Sequence, residues 1–148
     1  MIDTNALQTY SLFGGVLPEQ IEKMKPFFGY YQYQAGDTPM VEGAPNDKIF
    51  FITSGRVEIS KRGIPIAEVS EGETFGEMEL IDVMPSIATV TALEPLEVVT
   101  ISNAALYKIS KCEPKAFALM IMNLARDLSR RLRRMDELAA REVPSARD

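Results

Sequence analysis

The sequence predicts a mainly β protein with flanking helices, and two contrasts along the chain support this prediction. Between residues 30 and 101, short β-branched runs such as KIFFI, RVEIS and IATVTAL alternate with turn residues, a pattern typical of antiparallel sandwiches and jelly rolls. After Pro114 the apolar period changes from two residues to about three and a half, which indicates a long amphipathic helix. We therefore expect a β-roll between helical ends.

Length and composition fit one ordinary globular domain. The chain has 148 residues, 46% apolar and 25% charged, which is enough for one core. We divide a single domain, 1–148, into an N-terminal helical segment (1–29), a β-roll (30–101), C-terminal helices (102–140) and a tail (141–148). No apolar run approaches the roughly 20 residues of a membrane span, and the start lacks a secretory signal. We expect a cytoplasmic protein with no membrane contact.

Local signals specify a helix and a hairpin. Pro18 suits a first helical position, and Leu17, Ile21 and Met24 follow spacings of four and three, which predicts a short N-terminal helix with one buried stripe. In the β region, Arg62-Gly63 separates two apolar runs and predicts a hairpin turn.

The C-terminal helix carries an apolar stripe longer than one domain can cover. About 25 helical residues span nearly 40 Å, whereas a domain of this size is about 30 to 35 Å across. One interpretation is that the whole stripe packs on its own domain, and the other is that the distal half pairs with a second copy. We favour a homodimer through this stripe, which comprises Ile121, Leu124, Leu128, Leu132, Met135 and Leu138.

Several classes of function are excluded or disfavoured. The chain has no histidine, so a histidine triad or a histidine zinc site cannot form, and we expect neither a metal nor catalysis. Cys112 is the single cysteine, and we expect it to be a small buried hydrophobe. Glu77 and Glu79 are two residues apart, and on a strand this spacing more often marks two solvent-facing positions than a catalytic pair. A binding module is therefore favoured over an enzyme.

Charge and length argue against nucleic-acid binding. Residues 1–110 carry a net charge of −8 and residues 111–148 carry +3, together −5. An acidic body does not suit a nucleic-acid surface. Only REVPSARD follows DELAA, which is too short for a DNA-binding domain, and we expect none.

Four sequence blocks occur in a recognisable order. They are SLFGGVLPEQIEKM, then AGDTPMVEGAPNDKIFFITSGRVEIS, then FGEMELIDVMPSIATV, then the long Arg-rich helix. This order resembles the cyclic nucleotide-binding domain family, which includes the sensory half of the catabolite activator protein, over nearly the whole chain. The resemblance implies an eight-stranded antiparallel β-roll of the jelly-roll type, a regulatory role in signalling, and a ligand, cAMP or cGMP, bound under the last helix.

The block FGEMELIDVMPSIATV resembles the phosphate-binding cassette of that family, with three departures. Glu79 stands where the family has a small residue, Ser86 where it has the phosphate-binding Arg, and Ile87 where it has a small or hydroxyl residue. The matching positions are Phe75, Gly76, Glu77, Leu80, Pro85, Ala88, Thr89 and Val90. The resemblance implies ligand contacts from Phe75, Gly76, Glu77, Met78, Ser86, Ile87 and Ala88, with Glu77 on the ribose hydroxyl and Arg131 near the base.

The departures predict weak or absent cAMP binding. Loss of one buried ionic partner typically costs about 3 to 5 kcal/mol, or roughly two to four decades in affinity. Glu79 adds repulsion if it points inward. Arg131 either contacts a base or is a solvated side chain, and we favour the second. No cofactor is certain, and a cyclic nucleotide would bind only weakly. The alternative function is an interaction module, in which the β-roll is a scaffold for dimerisation or for a protein effector.

Overall fold

Seven strands in two antiparallel sheets form the centre of the molecule, as seen in a computed structural model that describes residues 3–82 and 84–142. One sheet has the strand order β1-β7-β2-β5 and the other the order β4-β3-β6. The strands are β1 (Gly29–Tyr33), β2 (Lys48–Ser54), β3 (Arg56–Lys61), β4 (Ile64–Ser70), β5 (Thr74–Phe75), β6 (Thr89–Ala92) and β7 (Leu96–Ser102).

Helices flank this β region on both sides in sequence. The N-terminal segment contains α1 (Thr4–Gln8), a 3-10 turn (Ser11–Phe13), α2 (Pro18–Met24) and a second 3-10 turn (Lys25–Phe27). The short helix α3 (Glu77–Asp82) lies between β5 and β6, and α4 (Asn103–Cys112) and α5 (Pro114–Glu142) follow β7. None of the helices described is long and apolar enough to span a membrane.

The mainly β prediction is confirmed, with a difference in strand count. The resemblance implies eight strands, whereas the described residues form seven. An isolated antiparallel bridge between Met40 and Val90 adds a further β contact. The hydrogen bonds of this segment include those from Val90 N to Met40 O at 2.9 Å and from Glu42 N to Thr89 Oγ1 at 3.0 Å. The segment before β2 therefore pairs with the roll through an isolated bridge rather than a strand ladder, and further backbone bonds join it to Ser86.

The predicted hairpin is confirmed at Arg62-Gly63. Lys61 pairs with Ile64 at the end of β3 and β4, and the two residues between them have φ of 53° and 78°. Positive φ at both central residues is the geometry of a type I′ turn, which matches the twist of the flanking strands.

Alternate side chains of β2 enter two different cores, which explains its continuous apolar run. Ile49 and Phe51 pack with the helices, together with Val99 and Ile101 of β7. Phe50 and Ile52 point into the roll, where they pack with Val57, Phe75 and Val98. A strand with both faces covered needs apolar residues at successive positions.

Two predictions that placed an apolar side chain in the core are wrong. Ile21 and Met24 are fully buried in α2, but Leu17 is 52% exposed, because it lies outside the helix as an extended N-cap whose N–H bonds the Gln20 side chain. Cys112, predicted as a buried hydrophobe, is exposed at the end of α4. Spacing alone does not orient the terminal residue of a helix.

The first half of α5 packs on the N-terminal segment. Ala116, Met120 and Leu124 lie in the core, and buried Asn123 donates from Nδ2 to Leu12 O at 3.1 Å and to Gly14 O at 3.0 Å. These bonds satisfy two carbonyls of the irregular N-terminal turn, which explains a polar residue on the packed face.

This packing corrects the predicted pairing stripe. Leu124 is only 5% exposed and belongs to the core of its own domain, so it offers no surface to a second copy. Leu128 packs partly on the same core. The exposed members of the stripe are Ile121, Leu132, Met135 and Leu138. Pairing through them stays a prediction, as do the domain limits, and the tail beyond residue 142 lies outside the described residues.

Candidate functional site

A glycine turn delivers the cassette from β5 into α3. Gly76 has φ of +86°, and a Cβ there would lie 2.9 Å from Lys48 O and 3.0 Å from Asn46 Nδ2. The preceding Phe75 is anchored by stacking on Phe50, with ring centroids 4.6 Å apart. Only glycine fits this turn without strain, and the turn places Glu77 first in α3.

Glu77 is a buried carboxylate, and only one of its two oxygens has a hydrogen-bond partner among the described residues. It is 4% exposed, and its Oε1 accepts a hydrogen bond from Arg131 Nη1 at 2.9 Å. Its Oε2 is buried with no hydrogen-bond partner among the described residues. Burial raises the pKa of Glu77 above the usual value, and the positive charge of Arg131 opposes this rise.

Arg131 joins α5 to the cassette. Besides the bond to Glu77, its Nη2 donates to Thr74 O at 2.8 Å. The interpretation of Arg131 as a solvated side chain is therefore wrong. It lies seven residues after Leu124 and eleven after Met120 on one helical face, so the face that packs on the domain continues to this position.

Glu79 points into the cassette. It is 5% exposed, and its Oε1 accepts from the backbone N–H of Ile87 at 3.2 Å. The resemblance implies that this N–H belongs to the segment that contacts a ligand phosphate. A negative side chain of the protein thus occupies a donor that an anion would need.

Ser86 is held by its backbone while its hydroxyl has no partner. Its N–H donates to Ala44 O at 2.9 Å, and its carbonyl accepts from Gly43 N at 2.8 Å. The side chain is 4% exposed in total, and Oγ has no hydrogen-bond partner in the part of the chain that the structure describes. A neutral hydroxyl is therefore buried at the position where the resemblance implies a cation.

The predicted ligand-binding residues fall into two groups. Phe75, Glu77, Ser86 and Ala88 are buried in the cassette, together with Gly76. Met78 and Ile87 have exposed side chains, at 48% and 39%. The side chain of Leu80 lies outside the described residues. Their roles toward a ligand stay predictions.

Two contributors to the site were not predicted. Thr74 accepts a hydrogen bond from Arg131 through its carbonyl. The sequence could not predict this contact, because any residue offers a backbone carbonyl. The Gly43-Ala44 segment, which holds Ser86, is 42 residues or more away in sequence. The Gly-Ala-Pro composition of this segment predicts a loop but not its contact with Ser86.

The charge of the site is opposite to that of a phosphate receptor. Residues 75–90 contain no Lys or Arg, while two carboxylates, Glu77 and Glu79, are buried there. Arg131 supplies a positive charge from α5, but it already pairs with Glu77. Ionised carboxylates only accept hydrogen bonds, so their free lone pairs can be satisfied only by donors.

Comparison with known proteins identifies the family. Residues 31–111 match the model of the cyclic nucleotide-binding domain family, and the chain belongs to this family. Its relatives include the CRP-like cAMP-activated global transcriptional regulator of Mycobacterium tuberculosis, 26% identical over 138 residues, which cover 90% of this chain and 62% of that protein. A cAMP-dependent protein kinase regulatory subunit of Aspergillus fumigatus is 31% identical over 94 residues, or 62% of this chain and 23% of that subunit.

Solved structures agree on the fold. A cyclic nucleotide-binding domain from Methylobacillus flagellatus superposes with a TM-score of 0.83 at 25% identity, covering 97% of this chain and 84% of that one. The chain spans less than two thirds of the two curated relatives above. It is thus a cyclic nucleotide-binding regulatory domain of the type found in these proteins.

Proposed function

We propose that this domain is a non-catalytic cytoplasmic regulator in which cAMP binding is weak or absent. The observation that carries the proposal is the bond from Ile87 N to Glu79 Oε1 at 3.2 Å. The carboxylate takes up a backbone donor in the cassette, and Ser86 leaves no cation there. Binding an anion requires breaking or sharing this internal contact.

The magnitude of the penalty supports weak binding. Two negative charges about 5 Å apart repel by about 3 kcal/mol at an effective dielectric constant near 20. Absence of the cation removes the main compensation for desolvating a phosphate. Either effect alone would lower the affinity by about two decades. Together they outweigh the attraction of the remaining backbone N–H groups.

The pairing of Arg131 with Glu77 supports a regulatory role. It ties α5 to the first residue of α3, so a change in the cassette alters the contact that positions the helix. A helix whose position depends on the site can report occupancy to a second copy or to a protein effector. The relatives named above are, by their names, a cAMP-activated regulator and a kinase regulatory subunit.

Isothermal titration calorimetry with cAMP and cGMP tests the proposal. At moderate salt we expect a dissociation constant for cAMP well above about 1 μM, or no detectable heat. A dissociation constant at or below about 1 μM would contradict the proposal.

One observation favours a second candidate, an interaction module. Three apolar side chains of distal α5, Leu132, Met135 and Leu138, are more than half exposed. Pairing of two α5 helices would bury them. If neither cyclic nucleotide binds and the protein is a dimer, the β-roll acts as a scaffold for this interface.

A further inference from the structure

Two unpartnered polar atoms lie in the same cassette. Glu77 Oε2 and Ser86 Oγ are both buried without a hydrogen-bond partner among the described residues, and both residues are less than 5% exposed. Folded proteins rarely leave buried polar atoms unpaired. Their coincidence in one site leaves hydrogen-bonding capacity there that a bound molecule can use.

The hydrogen-bonding character of the site defines the missing groups. The carboxylate of Glu77 can only accept, and so can that of Glu79, which has lone pairs to spare after the bond from Ile87 N. A ligand must therefore supply donors. An added cation is disfavoured at Glu77 because Arg131 already stands 2.9 Å from its Oε1. Uncharged hydroxyl groups fit both carboxylates.

The family gives the rest of the ligand. A cyclic nucleotide consists of a base, a ribose and a cyclic phosphate, and the phosphate offers only acceptors and a negative charge. Without the phosphate it becomes a ribonucleoside, whose free 3′ and 5′ hydroxyls are donors. We propose that the cassette binds an uncharged ribonucleoside whose 5′ hydroxyl donates to the carboxylate of Glu79, beside the ribose contact that the family resemblance implies for Glu77.

This inference rests on the proposed function, which places the ligand site in residues 75–90. Glu79 then contributes to binding. Its carboxylate repels a phosphate, but it accepts a hydrogen bond from the hydroxyl that a nucleoside has in place of the phosphate. Within the cassette, the exposed apolar side chains of Met78 and Ile87 offer surface on which a base can pack.

Calorimetry on the intact protein tests the inference with adenosine, guanosine, cytidine and uridine, each beside its 3′,5′-cyclic monophosphate. We expect at least one nucleoside to bind about tenfold or more tightly than its cyclic monophosphate. The 5′-deoxy form of that nucleoside should bind about tenfold more weakly than the parent, because it lacks one donor. Equal binding of parent and 5′-deoxy form would overturn the role of the 5′ hydroxyl.

Substitutions test whether the Glu79 carboxylate causes the difference in affinity between the nucleoside and its 5′-deoxy form. Glu79→Ala should weaken the nucleoside about tenfold and leave the 5′-deoxy form nearly unchanged. Glu68→Gln removes an exposed carboxylate from β4 as a matched control, and should leave both affinities within about twofold. A Glu79→Ala variant that binds the nucleoside as well as the wild type would overturn the inference.

The outcomes separate the two proposals. A folded wild type that binds no nucleoside at about 1 mM overturns this inference and leaves weak cAMP binding standing. A wild type that binds cAMP at or below about 1 μM overturns the proposed function as well.

Discussion

Arg131 and Glu77 lie 54 residues apart in sequence and meet in an ion pair with Nη1 and Oε1 separated by 2.9 Å. The pair joins the last helix to the first residue of α3, inside the cassette. Because Glu77 is buried and Arg131 is largely covered, the pair has little access to the water that weakens surface ion pairs.

Removal of Arg131 should destabilise the fold in a pH-dependent way. Arg131→Met leaves a buried carboxylate without its cation, and we expect a loss of about 3 kcal/mol in the free energy of unfolding at pH 8. The loss should be smaller near pH 5. Urea unfolding of wild type and variant at both pH values measures the difference.

The direction follows from the pKa of Glu77. Burial raises this pKa above 4.5 in the folded wild type, so the carboxyl stabilises the fold below about pH 4.5, and that contribution is lost as pH rises through the folded-state pKa. Without Arg131 the pKa of Glu77 rises further, so the free energy of unfolding falls by more when this carboxyl becomes charged. Arg133→Met, on an exposed position, should cost less than about 0.5 kcal/mol at either pH. An equal loss for Arg131→Met at both pH values would contradict the buried-charge explanation.

Gly76→Ala should destabilise the protein more than Gly36→Ala. Both glycines have positive φ, but a Cβ at Gly76 meets backbone at 2.9 Å, whereas nothing lies within 4 Å of one at Gly36. We expect about 1 kcal/mol for Gly36→Ala from φ strain and at least about 1 kcal/mol more for Gly76→Ala. Thermal unfolding of the two variants compares them, and equal midpoints would show that the cassette turn relaxes freely.

Residue patterns predicted the parts of this molecule that depend on local rules. The Arg62-Gly63 hairpin and the β runs were predictable because turn geometry and strand period are local. The partner of Arg131 was not, since it depends on how α5 lies across the roll. The apolar stripe gave the wrong buried face of α5 because Asn123, a polar residue, belongs to the packed face. Ile121 therefore lies away from the core.

The inward direction of Glu79 was also beyond prediction. Glu77 and Glu79 are both buried in a short helix rather than facing solvent from a strand. Side chains two residues apart on a helix normally point in different directions. Both are covered here because the 86–88 segment contacts Glu79 and α5 contacts Glu77. Such enclosure is a property of the assembled fold.

Sedimentation equilibrium should detect a homodimer of modest affinity at about 100 μM, formed through distal α5. Met135→Asp places a charge on the exposed stripe and should give a monomer. Leu128→Asp is a less specific test, because Leu128 also packs on its own core. Ile66→Asp, on exposed β4, is the control and should not change the association. A monomeric wild type would rule the dimer out, and a dimeric Met135→Asp would place the interface elsewhere.

We propose that the reversed charge of the cassette, with Glu79 inside and Ser86 where the resemblance implies a cation, weakens cAMP binding. The deciding experiment is calorimetry of cAMP with the wild type, with Glu79→Ala, and with the double variant Glu79→Ala and Ser86→Arg. We predict a gain in affinity for Glu79→Ala alone and a total gain of about tenfold or more for the folded double variant. An affinity for cAMP that stays at the wild-type level in both variants would contradict the claim.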